Sequence, residues 1–153
     1  MCSSDLKTFH ARFSAKKRFY LYRLRTDTFL LDRSFTFQVK KVDFNLLQSS
    51  AELIKGTHDF TSFSKHNDKI DNRYCTIYES SWKEDNSLLN YRICGNRFLH
   101  HMVRYLVGTM VEIAKKRYTT DDFEILLKNP QENVHIYKAP SRGLILEKVE
   151  YED

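Results

Sequence analysis

Along residues 18–26, RFYLYRLRT, β-forming residues alternate so that Tyr20, Tyr22 and Leu24 share one side, the spacing of a half-buried strand. FTFQVK at 35–40 is a second, short extended piece. The period then changes. Asp43 stands where a helix N-cap would, and Phe44, Leu46, Leu47, Ala51, Leu53 and Ile54 are the apolar positions of a helix that Gly56 stops. Residues 57–72 are polar apart from Phe60 and Phe63 and read as a loop. Residues 73–83 and 88–94 read as two strands of a hairpin, joined by the turn chemistry of EDNS at 84–87. The longest periodic segment is 98–116, with Leu99, Met102, Val103, Leu106, Met110, Ile113 and Ala114 on one helical face. Thr120 caps a shorter helix, DDFEILLK, and 129–142 read as a loop. GLILEKVEY at 143–151 is a last strand, with Leu144, Leu146 and Val149 apolar and an alternation that breaks at Lys148.

This order, β-α-β-β-α-β with one extra short helix, predicts an α+β chain of ferredoxin-like type: an antiparallel sheet with helices packed on one face. That fold hosts many unrelated functions, so chemistry has to be sought in particular side chains. The length, 153 residues, suits one domain with a real core. No apolar run approaches the ~18 residues of a membrane span, so no membrane partner is expected. Three cysteines at wide spacing, Cys2, Cys75 and Cys94, point to a reducing, cytoplasmic setting without disulfides. Met1–Leu6 (MCSSDL) resembles a translated sequencing-adapter end and is read as a cloning or sequencing scar or a disordered lead-in, leaving 7–153 as the folded unit.

Net charge is +5, which favours an anionic partner, nucleic acid first. Near the N-terminus, Arg12, Lys16, Lys17, Arg18, Arg23 and Arg25 interleave with Phe13, Phe19, Tyr20 and Tyr22. Cations neutralise phosphates and flat rings stack on bases; the plainer alternative is a strand with one buried aromatic face and one solvated basic face. On the long helix, a wheel groups Arg97, His101, Arg104, Gly108 and Lys115 opposite the apolar stripe. Such a face suits phosphate or carboxylate, which arginine grips with two nitrogens, or is merely solvated. Gly108 costs a helix interior about 1 kcal/mol against alanine and would let another backbone approach. Adjacent His100 and His101 would point about 100° apart on a helix and make no two-histidine metal face. His58 and Asp59 form either an acid–base pair or, more simply, the scaffold of their own loop.

Four blocks, FHARFSAKKRFYLY, GTHDFTSF, NRFLHHMVRYLVGTMVEI and APSRGLILEKVEY, follow one another in the order and spacing of the C-terminal half of the bacterial TruA family, the tRNA pseudouridine synthases of the anticodon arm. The resemblance runs from Phe9 to Tyr151. It implies a cofactor-free isomerase that converts uridine to pseudouridine after the base leaves its stack. It further implies a basic cleft for the tRNA anticodon stem-loop and a homodimer. Arg18 and Tyr20 match the family's Arg-x-Tyr element, whose tyrosine lies against the flipped base. Arg104 matches the arginine that pairs with the catalytic aspartate, keeping it ionised; Phe98 and His101 would help line the pocket. Arg12, Lys16, Lys17, Arg18 and Arg97 would meet RNA. The family's Gly-Arg-Thr-Asp-x-Gly-Val-His-Ala block, which carries the nucleophilic aspartate, is not among these residues. Arg25-Thr26-Asp27 lacks its glycines and follows Tyr20 instead of preceding it, and Asp59 belongs to a separate block. The expectation is a C-terminal subdomain without its N-terminal half, inactive by itself and marginally stable because a sheet edge and a cleft wall are uncovered. The alternatives are a non-catalytic RNA-binding ferredoxin-like module and an interaction subunit that associates through the Gly108 helix.

Overall fold

The computed structural model describes residues 15–27, 33–65 and 69–151. Met1–Leu6 and Arg12 lie outside the described residues. In chain order the elements are β1 (Ala15–Arg25), β2 (Phe37–Gln38), α1 (Phe44–Ile54), β3 (Gly56–Asp59), β4 (Tyr74–Asp85), β5 (Leu88–Gly95), α2 (Met102–Ala114), α3 (Thr120–Lys128) and β6 (Leu144–Tyr151).

The strands form one sheet in the order β2-β1-β5-β4-β3, with β6 also paired to β1. β1 is central. β5 runs antiparallel along one edge, from Arg18 opposite Gly95 to Arg25 opposite Leu88. The other edge is shared: β6 lies antiparallel beside Ala15–Tyr22, and β2 lies parallel at Leu24 and Arg25. That parallel pair makes the sheet mixed where an antiparallel one was expected. The α+β architecture, six strands with three helices packed on them, is compatible with the ferredoxin-like fold.

The core follows the predicted spacing. Tyr22 and Leu24 of β1, Ile77 and Trp82 of β4, and Tyr91 and Ile93 of β5 are buried beneath Leu47, Ala51 and Ile54 of α1 and Leu106, Met110 and Ile113 of α2. Each such side chain contributes roughly 1.5–3 kcal/mol through burial. Polar groups drawn into this layer are satisfied: Ser80 shares a hydrogen bond with the Tyr91 hydroxyl at 2.6 Å, and Trp82 Nε1 donates to Met110 Sδ at 3.5 Å.

Several boundaries move. The segment expected as a loop after Gly56 begins with strand β3, whose Gly56–Asp59 pairs with Tyr74–Ile77 of β4. A polar GTHD run carries no alternation, and only the partner strand reveals it. Thr119, not Thr120, caps α3: its hydroxyl accepts from Asp122 N–H, and the Asp122 carboxylate accepts from Thr119 N–H in return. On β6 the ladder is irregular opposite Phe19 and Tyr20, which accounts for the break at Lys148. β6 is an edge strand, so Leu146, expected as an apolar core position, is 51% exposed.

The largest correction concerns α2. It starts at Met102, not Phe98, because His101 sits in the left-handed region (φ 61°, ψ 9°) and interrupts the helical path. The preceding backbone is engaged elsewhere: His100 C=O accepts from Lys65 N–H at 3.0 Å, and Met102 N–H closes a turn onto Leu99 C=O. Off the helix, the His100 and His101 rings do not diverge by a helical step but lie 3.8 Å apart between centroids.

Candidate active-site surface

Three elements converge at one end of α2: the core-facing side of β1, the turn 96–101, and a strap formed by residues 137–143. Tyr20 and Tyr22 are two apart on β1 and share a face. Tyr22 is fully buried, while Tyr20 is half-buried. The Phe98 ring meets Tyr20 edge-to-face, with centroids 5.0 Å apart at 84°, a preferred aromatic geometry. Gly95 makes room for it, since a Cβ there would come within 3.1 Å of the Phe98 ring.

Arg104, in the first turn of α2, is half-buried and held on two sides. Its Nε donates to Ala139 C=O at 2.8 Å, and its Nη1 contacts His101 Nδ1 at 3.3 Å. Ala139 N–H returns a bond to Arg104 C=O at 3.1 Å. The strap continues from there. Pro140 C=O accepts from the Tyr22 hydroxyl at 2.5 Å, and Gly143 lies so close to the Tyr22 ring that a Cβ would come within 2.8 Å of it. Burial pushes the Tyr22 phenol well above its ordinary value, with Arg104 and Arg142 only partly offsetting it, so it remains a neutral donor. Gly108 is where the strap crosses α2: a Cβ would run into the Tyr137 carbonyl. The close backbone approach inferred for Gly108 is thus met within the chain itself, which removes this helix face as a place for another chain to pack.

His101 is held neutral. Burial lowers its imidazole from 6.5 to about 4, assisted by His100, Lys138, Arg104 and Lys65. Arginine has no acceptor, so Nδ1 must receive the Arg104 contact and the ring proton sits on Nε2.

The other expected residues are distributed more widely. Lys16 and Lys17 are exposed at the start of β1, and Lys17 Nζ lies 5.1 Å from the centre of the Tyr78 ring, a cation–π distance. Arg18 is half-buried opposite Gly95 and Val149. Arg97 is not on the helix; its Nη1 donates to Asn72 C=O at 2.8 Å, so it does not join Arg104 as the helical wheel placed it. Lys115 is the C-cap of α2, at the end away from Arg104. The structure brings together Tyr20 with Phe98, and His101 with Arg104.

Neither carboxylate considered from sequence reaches Arg104. Asp27 pairs with Arg25 Nε at 2.5 Å, seven residues beyond Tyr20 and so roughly 20 Å along the sheet. Asp59 accepts from Thr61 N–H at 2.9 Å and from the Thr61 hydroxyl, organising its own turn. It lies on β3, three strand spacings or about 14 Å from β1. His58 Nε2 bonds Lys55 C=O instead of Asp59. Among the described residues no carboxylate pairs with Arg104, and no three His, Cys, Asp or Glu side chains group as a metal cage. Burial raises both described thiols, Cys75 to about 11, so neither is a ready nucleophile. The strap's part in this surface escaped the sequence reading. Its one signal was Gly108, a glycine inside a helix that needed a neighbouring backbone to explain it.

A sequence model described as tRNA pseudouridine synthase matches residues 51–152. The chain is 40% identical over 146 residues to tRNA pseudouridine synthase A of Dictyoglomus thermophilum, covering 94% of this chain and 59% of that protein. It is 39% identical over 144 residues to the same-named protein of Chlorobium limicola, covering 94% and 59%. It is 36% identical over 148 residues to that of Borreliella afzelii, covering 95% and 60%. The chain thus spans about 60% of the length of these curated relatives. With four sequence blocks and the family match in agreement, the chain belongs to the TruA family of tRNA pseudouridine synthases.

Proposed function

We propose that this chain forms one wall of the active site of a tRNA pseudouridine synthase that isomerises uridine in the anticodon arm, and that its catalytic aspartate comes from outside these 153 residues. In this reading 7–153 is the C-terminal subdomain of the synthase, which works as a cytoplasmic homodimer and needs no cofactor. The observation that carries it is Arg104: a half-buried guanidinium, oriented by Ala139 and His101, with no carboxylate partner among the described residues. A carboxylate brought to Arg104 would be kept ionised and poised beside a base lying on Tyr20. The reaction is an isomerisation: the bond from ribose to base nitrogen breaks, the base turns, and a bond from ribose to base carbon replaces it, with that carbon losing its proton and the freed nitrogen gaining one, so the composition is unchanged. Phe98 lines the base pocket, and Arg12, Lys16, Lys17, Arg18 and Arg97 meet RNA, largely its phosphates.

Purified chain is incubated with unmodified tRNA transcript and assayed for binding and for pseudouridine. The reading predicts binding that weakens steeply with salt, as phosphate contacts require, and no turnover by the chain alone. Turnover by the chain alone would return the search to Asp27 and Asp59. Salt-sensitive binding with no turnover even after the missing aspartate segment is supplied would favour a non-catalytic RNA-binding module.

A further inference from the structure

The turn before α2 contains a feature that folding by itself does not call for. A histidine occupies the left-handed N-cap position, where glycine or asparagine is the economical choice. Its side chain makes no capping bond to the helix it precedes. Its Nδ1 instead faces Arg104 Nη1 at 3.3 Å, one turn along. The His101 ring also lies 3.8 Å from that of His100 between centroids, the two planes tilted by 33°. The two arginine edges are therefore held differently, Nε by a backbone carbonyl of the strap and Nη1 by an imidazole.

We propose that His101 is a positioning residue for Arg104: its neutral imidazole accepts from Nη1 and fixes the plane of the guanidinium, so that the remaining edge is aimed at an incoming carboxylate. This gives His101 a role distinct from RNA contact, and it rests on the synthase reading only for the identity of that carboxylate. The groups that face the ring bear it out. His100 from the same turn, Lys138 from the strap, Arg104 from α2 and Lys65 from the 61–65 segment are all cationic or neutral, so protonating the ring adds a cation to a site where none of the described groups acting on it is an anion. A neutral acceptor is the form this environment selects, and a neutral acceptor is what arginine needs.

The test is made on the chain itself by nitrogen NMR of arginine and histidine side chains, without RNA or turnover. Two variants separate backbone from acceptor. His101→Gly keeps the left-handed backbone and deletes the acceptor. His101→Asn keeps both, since asparagine tolerates that backbone and offers Oδ1 near the place of Nδ1. Rotation of the Arg104 guanidinium about its Cζ–Nε bond is expected to be about tenfold faster in the glycine variant and near wild type in the asparagine variant. Equal rates in wild type and His101→Gly overturn the proposal, as does an asparagine variant that behaves like the glycine one. A second readout needs no variant. His101 must show the Nε2-protonated tautomer at neutral pH, and Arg104 must loosen as the pH falls to about 4; an Nδ1-protonated ring at neutral pH overturns the proposal. In a form of the protein that turns over tRNA, His101→Gly should lower kcat on the order of tenfold while leaving KM within about twofold. The reverse split, a raised KM with unchanged kcat, would assign His101 to RNA contact and overturn the positioning role. Absence of turnover in that wild-type form would count against the synthase reading, while the guanidinium measurement would still stand.

Discussion

Helices α1 and α2 both carry clean apolar periodicity, yet they begin in different ways. α1 starts as its sequence says it should. Asp43 is extended, and its carboxylate accepts from Asn45 and Leu46 N–H, at 3.0 Å for Asn45. α2 starts four residues later than its periodicity predicts, behind a left-handed His101 whose side chain makes no capping bond. The bonding capacity of that turn goes to Arg104, to Lys65 and to the packing of Phe98 on Tyr20. One helix start is optimised for the helix; the other is shaped around a side-chain constellation. Local rules fail where the candidate site is, which is the pattern expected when a functional geometry overrides local preference.

Substitutions at each end break or sharpen that contrast. The largest effect is expected at Gly108, where the strap crosses α2. Gly108→Val should destabilise the chain by about 3 kcal/mol in urea denaturation, because its side chain has to displace the Tyr137 backbone. Released Ala139 contacts should show as faster amide hydrogen exchange at Ala139. Next comes Phe98→Ala, which removes the edge-to-face partner of Tyr20. A loss of about 1–2 kcal/mol is expected because the ring is half-buried, together with weaker tRNA binding if Tyr20 no longer presents a fixed face.

Asp43→Ala should cost about 1 kcal/mol through the lost cap and leave tRNA affinity unchanged. A loss of affinity would blur the distinction between a structural and a functional helix start. The smallest effect is the pH dependence of stability, because solvent screens the partly exposed His101 ring. His101 has a folded value of about 4 against an ordinary 6.5. Between those limits the unfolded chain binds more protons, so stability falls as the pH is lowered through that window. The fall should be shallower in His101→Asn, read as the difference between two melting curves taken across pH 4 to 6.5.

What could be read in advance followed from how each element is stabilised. β1, α1 and the β4–β5 hairpin bury one face against a common core, and burial writes itself as period. Strand β3 is a polar edge whose strand partner is β4, and a ladder leaves no period in GTHD. β6 kept its length but not its expected burial, because an edge strand with a ladder irregularity exposes residues that would otherwise alternate inward. Arg104 was singled out by its place opposite the apolar stripe and by family resemblance, whereas Arg97 was drawn into the same face only because the helix was extended past His101. A left-handed φ at a histidine has no signature in hydrophobic pattern. The strap had no signature either, beyond a helical glycine and a neighbouring backbone that only the tertiary structure supplies.

The central claim is that Arg104, which pairs with no carboxylate among the described residues, receives one from a segment outside this chain. The most direct measurement mixes or fuses the chain with the aspartate-bearing segment of a TruA relative and follows pseudouridine formation in an anticodon-arm transcript, with Arg104→Gln as the companion. The account predicts no pseudouridine from the chain alone, formation once the segment is supplied, and loss of formation in the Arg104 variant with tRNA binding retained. Pseudouridine from the chain alone, or undiminished formation in Arg104→Gln, would contradict it.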